Sequence, residues 1–558
     1  MLLPLILANL PNIVLILTDD QGYEDFGAMG HPVLVTPHLD ALRAQSPKVE
    51  RFYVSPVCSP TRAALMTGRY PYRTRVVDTW IGRSMMDPTE VTVAELLRDA
   101  GYTTGLFGKW HLGDCYPMRP QDQGFEQVLM HRGGGLAQPS EPPANDGRYT
   151  DPILFRNGEQ IATEGYCTDV YFDAALEFIE RSVEDERPFF AYVPTNAPHG
   201  PFGDVPEDLR RTYVERGLDD REARICAMIE NVDQNVGRLL ERLDGLEIAD
   251  DTLVLFLCDN GPIGGRPYAS ADALRGAKGT VYEGGIRTPL FARWPGELSP
   301  ETVLDRHLAH IDVLPTLLEL AGVETPDGLE VDGESFASEL RGLGAGTDGR
   351  HLFLQAHRGD APVAEHNMAV VGTRWKLVRA SGFGRSEAVP EHPFELYDLL
   401  EDPGETSDLA SDRPDVVEAL RERYATWFED VSTTRDDNYA PPRIVIGDPA
   451  EPSTALTRQD WRPDDGVGWG AGGEWLLEAR PGTRMACTVL FVEPQAPETV
   501  RVHLGDRSIE VTGTQDGLST RFGPFALPAL EAGPLALRVE VEAGGEAIAV
   551  HQVLLDPR

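Results

Sequence analysis

Two short apolar runs, each followed by a pair of polar side chains, constrain the fold of this chain more than any other feature. The runs are residues 12–18 (NIVLILT) and 252–258 (TLVLFLC). They are too short for buried helices and rich in β-branched or large apolar residues, which is typical of strands buried in a parallel sheet. Ligands bind beyond the carboxyl ends of such strands. The polar pairs that stand at those ends are Asp19 with Asp20, and Asp259 with Asn260.

Helical patterns alternate with strand patterns through the first part of the chain. Helices are predicted at residues 92–100, 171–181 and 221–243, and further strands at residues 103–107 and 188–193. This alternation predicts an α/β fold with a large, mostly parallel central sheet flanked by helices. The predicted domain spans residues 9–340.

Two further units are predicted beyond residue 340. Residues 341–350 and 436–473 read as connectors, because they are rich in Gly or in Pro, Gly and Asp. Between them, strands at 351–355, 368–371, 375–379 and 395–398 and a helix at 415–431 predict a small α+β C-terminal subdomain over residues 351–435. After them, strands at 486–492, 500–504, 508–512, 536–541 and 548–555 predict an accessory β-sandwich over residues 474–558.

Charge excludes two classes of partner. The net charge is −40, from 90 acidic and 50 basic residues. Such a surface repels nucleic acid and anionic membranes, so neither is an expected partner. No apolar run approaches the ~20 residues of a membrane span. The basic residues are almost all arginines, which fits either a GC-rich genome or a salt-adapted protein. The lysines are Lys48, Lys109, Lys278 and Lys376.

Cysteine spacing and the N-terminus bear on the compartment. The six cysteines are widely scattered and form no CxxC pair or Cys/His ladder, which argues against a zinc site and a disulfide framework. The N-terminal MLLPLILA is apolar, but it lacks a basic region and is short for a signal peptide. We expect a periplasmic or secreted protein if this segment is a truncated signal, and a cytoplasmic one otherwise.

The two polar pairs have the donor chemistry of a hard-cation site. Asp19, Asp20 and Asp259 offer carboxylates and Asn260 offers an amide oxygen, with no histidine among them. Such a set favours calcium or magnesium over zinc. Each pair alone is better explained as a solvated strand-end turn or a helix N-cap. Two pairs at two strand ends together predict a metal site.

Cys58 opens the stretch CSPTRAALMTGR at residues 58–69. A lone cysteine is usually a small buried hydrophobe, and that interpretation suits Cys115, Cys226 and Cys487. The pattern C-S-P-T-R followed by L-x-T-G, however, resembles the signature of type I sulfatases, in which the cysteine is oxidised to formylglycine. The resemblance covers residues 12–431. Its other motifs are NIVLILTDDQGYEDFG (12–27), GKWHLG (108–113), NAPH (196–199), CDNG (258–261), RGAKG (275–279), EGGIR (283–287), ELYD (395–398) and DPGE (402–405).

This resemblance implies an alkaline-phosphatase-like fold and the hydrolysis of sulfate monoesters. A sulfated carbohydrate is the expected substrate, with aryl sulfates as artificial ones, and a formylglycine-generating enzyme is the expected maturation partner. One hydroxyl of the hydrated formylglycine at Cys58 attacks sulfur to give a covalent sulfoenzyme, and the other then expels sulfate. The resemblance also narrows the metal to Ca²⁺. Its implied ligands are Asp19, Asp20, Cys58, Asp259 and Asn260.

The resemblance assigns three cations to the sulfuryl oxygens, whose charge they stabilise in the transition state. These are Arg62, Lys109 and Lys278. Arg62 is also expected to hold the formylglycine, because it follows residue 58 by four positions and shares its face if a helix begins at Pro60.

Proton transfer is assigned to three further side chains. His111 is expected to contact the gem-diol hydroxyl, and its spacing of two from Lys109 places both on one side of an extended segment. His199, with Lys278, is expected to contact the sulfate and protonate the leaving oxygen. Asp259 is the expected base for the attacking hydroxyl.

Three other functions fit parts of the pattern. A phosphonate monoester or phosphodiester hydrolase of the same superfamily would share the formylglycine and metal site. An inactive sulfoglycan-binding protein is disfavoured, because every expected site position is occupied. The last domain alone would suit a carbohydrate-binding module if its tryptophans are exposed for stacking on sugar, although they equally fit an interdomain seam. They are Trp461, Trp469 and Trp475.

Residues 131–135 (HRGGG) fit either the substrate rim or an ordinary loop. The oligomeric state is open.

The acidic composition makes a testable prediction about salt. Salt shortens the Debye length from about 30 Å at 0.01 M to about 3 Å at 1 M and so weakens repulsion between exposed carboxylates. If the chain is salt-adapted, its melting temperature rises with NaCl across this range. Melting curves measure this, and a flat or falling midpoint would leave genome bias as the explanation for the scarce lysines.

Overall fold

A computed structural model describes residues 10–263, 274–344, 349–434, 439–464, 469–470, 472–512 and 518–558. The apolar N-terminal segment 1–8, residues 345–348 of the first predicted connector and residues 436–438, 465–468 and 471 of the second lie outside the described residues. None of the helices in these ranges combines the length and the apolar character that crossing a membrane requires.

Strands and helices alternate in the first part of the chain. Its strands are β1 (Asn12–Thr18), β2 (Lys48–Tyr53), β3 (Thr103–Lys109), β4 (Gln127–His131), β5 (Ile153–Arg156), β6 (Glu159–Ala162), β7 (Phe189–Pro194), β8 (Thr252–Cys258), β9 (Arg287–Thr288), β10 (Leu290–Arg293) and β11 (Val303–Ala309). Its helices are α1 (Pro37–Ala44), α2 (Cys58–Thr67), α3 (Val93–Asp99), α4 (Cys167–Glu184), α5 (Glu207–Glu215), α6 (Asp220–Gly245), α7 (Glu283–Ile286), α8 (Val313–Ala321) and α9 (Ala337–Leu340).

A central sheet joins strands from distant parts of the sequence. Its order is β10-β8-β1-β7-β3-β4-β5-β6. The strands from β8 to β4 are parallel, whereas β10, β5 and β6 pair antiparallel at its two sides. The predicted α/β fold with a large, mostly parallel sheet is confirmed. Strands β11, β2 and β9 form a small separate sheet.

Both faces of β1 are buried. Ile13, Leu15 and Leu17 enter an apolar cluster with residues of α2, α3 and α8. Val14 and Ile16 enter a second cluster, with residues of α1, α4 and α6. Because helices cover both faces, the strand has no polar alternation and reads as one apolar run.

The next sheet is an antiparallel meander whose strands agree with prediction to within a residue. Its strands are β12 (Leu352–Gln355), β13 (Met368–Val371), β14 (Trp375–Arg379) and β15 (Glu395–Asp398). Helix α10 (Pro414–Ser432) follows the meander. Its buried face, which includes Leu420 and Trp427, shares one apolar cluster with the buried residues of the four strands.

Two sheets form the C-terminal β region, which we define as residues 444–558. Its strands are β16 (Ile444–Ile446), β17 (Thr454–Thr457), β18 (Arg462–Pro463), β19 (Gly473–Ala479), β20 (Met485–Gln495), β21 (Thr499–Leu504), β22 (Arg507–Thr512), β23 (Ser519–Ala526), β24 (Gly533–Ala543), β25 (Glu546–Ala547) and β26 (Gln552–Pro557). One sheet runs β16-β19-β24-β21-β22, with β18 on β19 and β25 on β24, and the other runs β17-β26-β20-β23.

Two sequence-based expectations fail in this region. Residues 436–473 are more than a connector, because β16, β17 and β18 lie within them and pair in the two sheets. Strands of two to four residues are too short to show a period of two. Residues 548–555 are not one strand, since β26 begins only at Gln552. We therefore propose that the accessory β domain begins near residue 444 instead of residue 474.

The apolar core of the C-terminal β region extends into the first part of the chain. Met85, Cys115 and Met118 belong to this core. Trp461 and Trp475 also lie in it, at 2% and 1% exposure, so the alternative in which they are exposed for stacking on sugar fails for both. Their indole rings are needed to fill the core, as in the interdomain-packing alternative. Trp469, which is half-buried, packs edge-on against Trp80 with ring centroids 5.3 Å apart.

A buried cation connects the meander to the first part of the chain. Lys376 on β14 is fully buried. Its Nζ lies 2.8 Å from an oxygen of Glu283, at the start of α7, and 2.8 Å from one of Glu405. Tyr53 of β2 donates its hydroxyl to the other oxygen of Glu283 at 3.0 Å. Arg287 Nη1 lies 3.5 Å from that same oxygen of Glu283, so Lys376 is the closest cation to Glu283 and contacts both carboxylates.

Replacing that ammonium group should be costly. Lys376→Met removes the cation that contacts two buried carboxylates, and we expect the free energy of unfolding to fall by about 3–5 kcal/mol. Lys48→Met is the matched control, because the Lys48 side chain is 57% exposed. Urea unfolding of both variants measures the difference, and equal stabilities would contradict the network.

Candidate active site

The parallel pairing of β1 with β8 brings the two polar pairs together. Thr18 is in register with Cys258, and the Asp259 amide donates to the Thr18 carbonyl at 2.9 Å. The Asp20 amide donates to Asp259 Oδ1 at 3.3 Å, and Asn260 Nδ2 donates to Asp20 Oδ1 at 2.8 Å. Asp20 has a φ of 66°, in the left-handed region, so the chain turns sharply after β1. The polar side chains after both strands are buried.

Helix α2 presents Cys58 as its first residue to this edge of the sheet. Cys58 is 2% exposed. Its Sγ and carboxylate oxygens of Asp19 and Asp259 all lie within 4.8 Å of one another. Burial raises the pKa of the Cys58 thiol, and a thiol with a raised pKa is a poor thiolate nucleophile. The expected helix start at Pro60 is wrong by two residues, because proline is tolerated throughout a first turn that needs no N–H donor.

Arg62 is buried on α2 and is held by two elements of the sheet. Its Nε and Nη2 donate to Asp259 Oδ2 at 3.1 and 2.8 Å. Its Nη1 donates to the Lys109 carbonyl, at the end of β3, at 2.8 Å. The described hydrogen bonds of Arg62 therefore go to Asp259 and to the backbone, and none goes to Cys58.

Two lysines complete a balanced set of charges. Lys109 Nζ lies 2.5 Å from Asp19 Oδ2, and Lys278 Nζ lies 2.6 Å from Asp20 Oδ1. The Lys109 side chain is fully buried, whereas that of Lys278 is 23% exposed. With the pair formed by Arg62, three cations thus face three carboxylates, and their formal charges cancel. This local balance contrasts with the excess of acid over the whole chain.

The pKa values of two neighbouring carboxyl groups diverge. Burial alone would raise the pKa of Asp19, but the charges of Lys109, His199 and Arg62 outweigh burial and lower it. Burial and the Asp19 charge raise the pKa of Asp259 to about 7, against the opposing effect of Arg62.

His199 has a defined orientation. Its Nδ1 lies 2.6 Å from the Gly200 carbonyl, which can only accept, so Nδ1 carries the hydrogen. Its Nε2 lies 3.8 Å from Asp20 Oδ2. Burial lowers the pKa of His199. The side chain is 18% exposed, so His199 and Lys278 mark the open side of the site.

His111 lies deeper and has the opposite tautomer. Its Nε2 is 2.8 Å from the Thr79 carbonyl and must donate to it. Its Nδ1 is buried and has no hydrogen-bond partner among the described residues. Burial, followed by the charges of Lys109 and Arg62, lowers the pKa of His111. The expected extended segment is wrong, because β3 ends at Lys109 and His111 has a φ of 58°.

Three neighbours of the histidines were not assigned from the sequence. A Cβ added to Gly134 would lie 2.7 Å from His111 Cε1, and one added to Gly135 would lie 3.3 Å from His199 Nδ1. The triple glycine of residues 133–135 was the visible signal, and it permits this close approach. Gln459 Nε2 lies 3.2 Å from His111 Nε2. The two residues are 348 positions apart, and no motif connects them.

Three side-chain oxygens in the site are buried without a hydrogen-bond partner among the described residues. They are Asp19 Oδ1, Asp20 Oδ2 and Asn260 Oδ1. Leaving a buried polar oxygen unpaired is costly. A hard divalent cation would satisfy all three, and carboxylate and amide oxygens are the ligands that calcium prefers. The residues present therefore fit a calcium ion.

Comparison with known proteins relates both the first part of the chain and the meander to sulfatases. A family model described as Sulfatase matches residues 11–323, and one described as N-sulphoglucosamine sulphohydrolase, C-terminal, matches residues 277–428. Arylsulfatase A from Homo sapiens is 32% identical over 468 residues, covering 75% of this chain and 88% of its own. N-acetylgalactosamine-6-sulfatase from Canis lupus familiaris is 34% identical over 386 residues, covering 63% and 70%.

Solved structures agree with this relationship. The crystal structure of Ps i-CgsB has a TM-score of 0.65 and 25% identity, covering 77% of this chain and 99% of its own. The same protein in complex with k-i-k-neocarrahexaose has the same TM-score, 0.65.

The unpaired oxygens make a prediction about metal binding. A ligand that binds only the folded state stabilises it by about 2.7 kcal/mol at a concentration of 100 times its Kd. We expect Ca²⁺ to raise the melting temperature of chelator-treated protein. Asp20→Asn should abolish the rise, because an amide nitrogen replaces one ligand oxygen.

Asp185→Asn, at an exposed carboxylate, is the matched control and should keep the response. Differential scanning calorimetry measures all three proteins. A Ca²⁺ response that survives unchanged in Asp20→Asn would place the ion elsewhere.

Proposed function

The chain belongs to the type I sulfatases, which are sulfuric ester hydrolases, and we propose that it hydrolyses sulfate monoesters of carbohydrates with a nucleophile at residue 58 and a calcium ion. One observation carries the proposal. Cys58 lies within 4.8 Å of carboxylate oxygens of Asp19 and Asp259, at the sheet edge where unpaired oxygens and buried cations meet. An ester that carries one negative charge, and that the acidic surface repels, would meet three positively charged groups here.

Residues from three elements would hold the calcium ion. Asp19 and Asp20 follow β1, Asp259 and Asn260 follow β8, and residue 58 begins α2. Asp19, Asp20 and Asn260 each bring an oxygen that lacks a partner among the described residues. When bound, the ion would supply two positive charges to a site whose own charges cancel, and so would favour an anionic ester.

Residue 58 requires a modification for this chemistry. A thiol with a raised pKa is a weak nucleophile at neutral pH. As formylglycine, residue 58 would supply a gem-diol hydroxyl that attacks sulfur and displaces the alcohol of the substrate. Its second hydroxyl would then lose its proton, expel sulfate and regenerate the aldehyde. Conversion requires a formylglycine-generating enzyme, which we propose as the maturation partner.

The remaining side chains divide into charge stabilisation and proton transfer. Arg62, Lys109 and Lys278 stabilise the sulfuryl oxygens, and the most exposed of them, Lys278, meets the ester first. Arg62 and Lys109 are already paired with Asp259 and Asp19, so they are preorganised.

Two histidines and a carboxylate handle protons. His111 offers its unpaired Nδ1 as a hydrogen-bond acceptor to the hydroxyl on residue 58. His199, on the open side of the site, is assigned to protonation of the leaving oxygen. Asp259 Oδ1 accepts from the Asp20 amide and Oδ2 accepts from the Arg62 guanidinium. We assign this carboxylate as the base for the attacking hydroxyl.

The substrate class rests on the relatives. N-acetylgalactosamine-6-sulfatase is named for a sulfated sugar, and Ps i-CgsB has been solved with k-i-k-neocarrahexaose. We therefore propose a sulfated glycan or sugar as the natural substrate, with aryl sulfates as artificial ones. Parallel assays on an aryl sulfate and an aryl phosphonate distinguish this function from phosphonate hydrolysis, and turnover of the sulfate excludes an inactive binding protein.

Modification at residue 58 is directly measurable. We expect peptide mass spectrometry of active protein to show oxygen in place of sulfur at Cys58. Cys58→Ala should abolish turnover of an aryl sulfate, because no hydroxyl remains. Cys58→Ser should leave at most a slow or single-turnover reaction, because a serine ester has no second hydroxyl to expel sulfate.

Cys487→Ala, which changes another buried cysteine, is the matched control and should retain activity. Full activity from protein that bears only the unmodified thiol would contradict the mechanism.

A further inference from the structure

The C-terminal β region contacts a loop in the first part of the chain, and this loop lies beside His111. This loop comprises residues 78–83, and the contacting segment is residues 458–462, between β17 and β18. The Gly82 amide donates to the Gln459 carbonyl at 3.1 Å, and Arg462 Nη1 donates to the Ile81 carbonyl at 2.5 Å. Neither matched sulfatase family model extends to this segment, since the second ends at residue 428.

The Gln459 side chain reaches past the loop towards the site. It is 1% exposed. Its Nε2 donates to the Thr79 carbonyl at 2.7 Å and to Ser84 Oγ at 3.3 Å. The same nitrogen lies 3.2 Å from His111 Nε2. A residue from the last part of the chain is thus buried within contact distance of a histidine in the site.

The contact between Gln459 and the Thr79 carbonyl bears on which tautomer His111 adopts. The Thr79 carbonyl lies 2.8 Å from His111 Nε2 and 2.7 Å from Gln459 Nε2, and a carbonyl oxygen can only accept. Both nitrogens must therefore donate to it, one along each lone pair. The carbonyl is held between two donors, His111 carries its hydrogen on Nε2, and the buried Nδ1 keeps a free lone pair.

We propose that Gln459 is a positioning residue for His111. It acts through the Thr79 carbonyl, which it holds in place so that His111 keeps the Nε2–H tautomer and aims Nδ1 at the hydroxyl of residue 58. The inference rests on the role of His111 in the proposed function. It adds a member of the C-terminal β region to the machinery of the site.

A shared core keeps the contact rigid. Met85, two residues after the loop, and Cys115, four residues after His111, both belong to the apolar core of the C-terminal β region. Cys115 Sγ lies 3.4 Å from the Ala455 carbonyl of β17. The segments that carry His111 and the loop are therefore packed against the same sheets that carry Gln459. A movement of these sheets would therefore also move the Thr79 carbonyl, to which His111 donates.

Kinetics of full-length Gln459 variants on an aryl sulfate test the proposal. Gln459→Met keeps the length of the side chain but removes both donors. We expect kcat to fall about 3- to 10-fold, as for the loss of one neutral hydrogen bond, with KM changed less than about 2-fold. KM is retained because His111 acts on the hydroxyl and not on the bound sulfate.

A second variant reports on the imidazole itself. Gln459→Glu keeps the shape of the side chain and puts a carboxylate beside the Nε2–H of His111, which favours the charged imidazole. We expect the acid limb of the kcat/KM profile to move to higher pH. A limb that stays in place would show that Gln459 does not contact the imidazole on which activity depends. If Gln459→Met does not fold, Gln459→Glu alone decides.

Arg462→Gln is the matched control, because it removes a contact of the same segment with the same loop but none with His111. It should keep the wild-type kcat and pH profile. Wild-type kinetics in both Gln459 variants, or an equal loss of kcat in Arg462→Gln, would overturn the proposal. Cys58→Ala, assayed in parallel, distinguishes failure of the proposed function from failure of the proposed role of Gln459. Activity in Cys58→Ala would overturn the proposed function itself.

Discussion

The pairing of β1 with β8 is the contact on which the site depends. Their register places Asp19 and Asp259 side by side, in a buried position where two carboxylates repel each other strongly. The chain compensates with Lys109 and Arg62, which arrive from β3 and α2. Charge compensation therefore dictates which elements meet at this edge. The oxygens left without a partner among the described residues are the ones that we propose as cation ligands.

The global and local electrostatics of the chain have opposite consequences. A net charge of −40 keeps anionic macromolecules away from the surface. Within the site, carboxylates and cations balance, so a bound divalent ion makes it positive. Lys278 and His199 are the partly exposed members of the set, and we propose that an anionic ester enters beside them.

Much of this was visible in the sequence, for identifiable reasons. Both apolar strands, their polar pairs and the Cys58 motif are local patterns, and the parallel sheet then places them at one edge. The partners of Arg62 and the φ of His111 are not local, because they depend on how α2 and β3 dock. Gln459 lies 348 positions from His111, and Trp461 reads as exposed until the shared core is seen. Contacts between units that are distant in the sequence could not be predicted from local sequence patterns.

The most direct test of the account is the position of the cation in a crystal of the active protein. Anomalous scattering from calcium would locate the ion without reference to activity. The account predicts one peak, 2.3–2.6 Å from Asp19 Oδ1, Asp20 Oδ2 and Asn260 Oδ1, as is typical of about six to eight oxygen ligands around calcium. A fully active crystal with no peak at this edge of the sheet, or with the ion bound elsewhere, would contradict it.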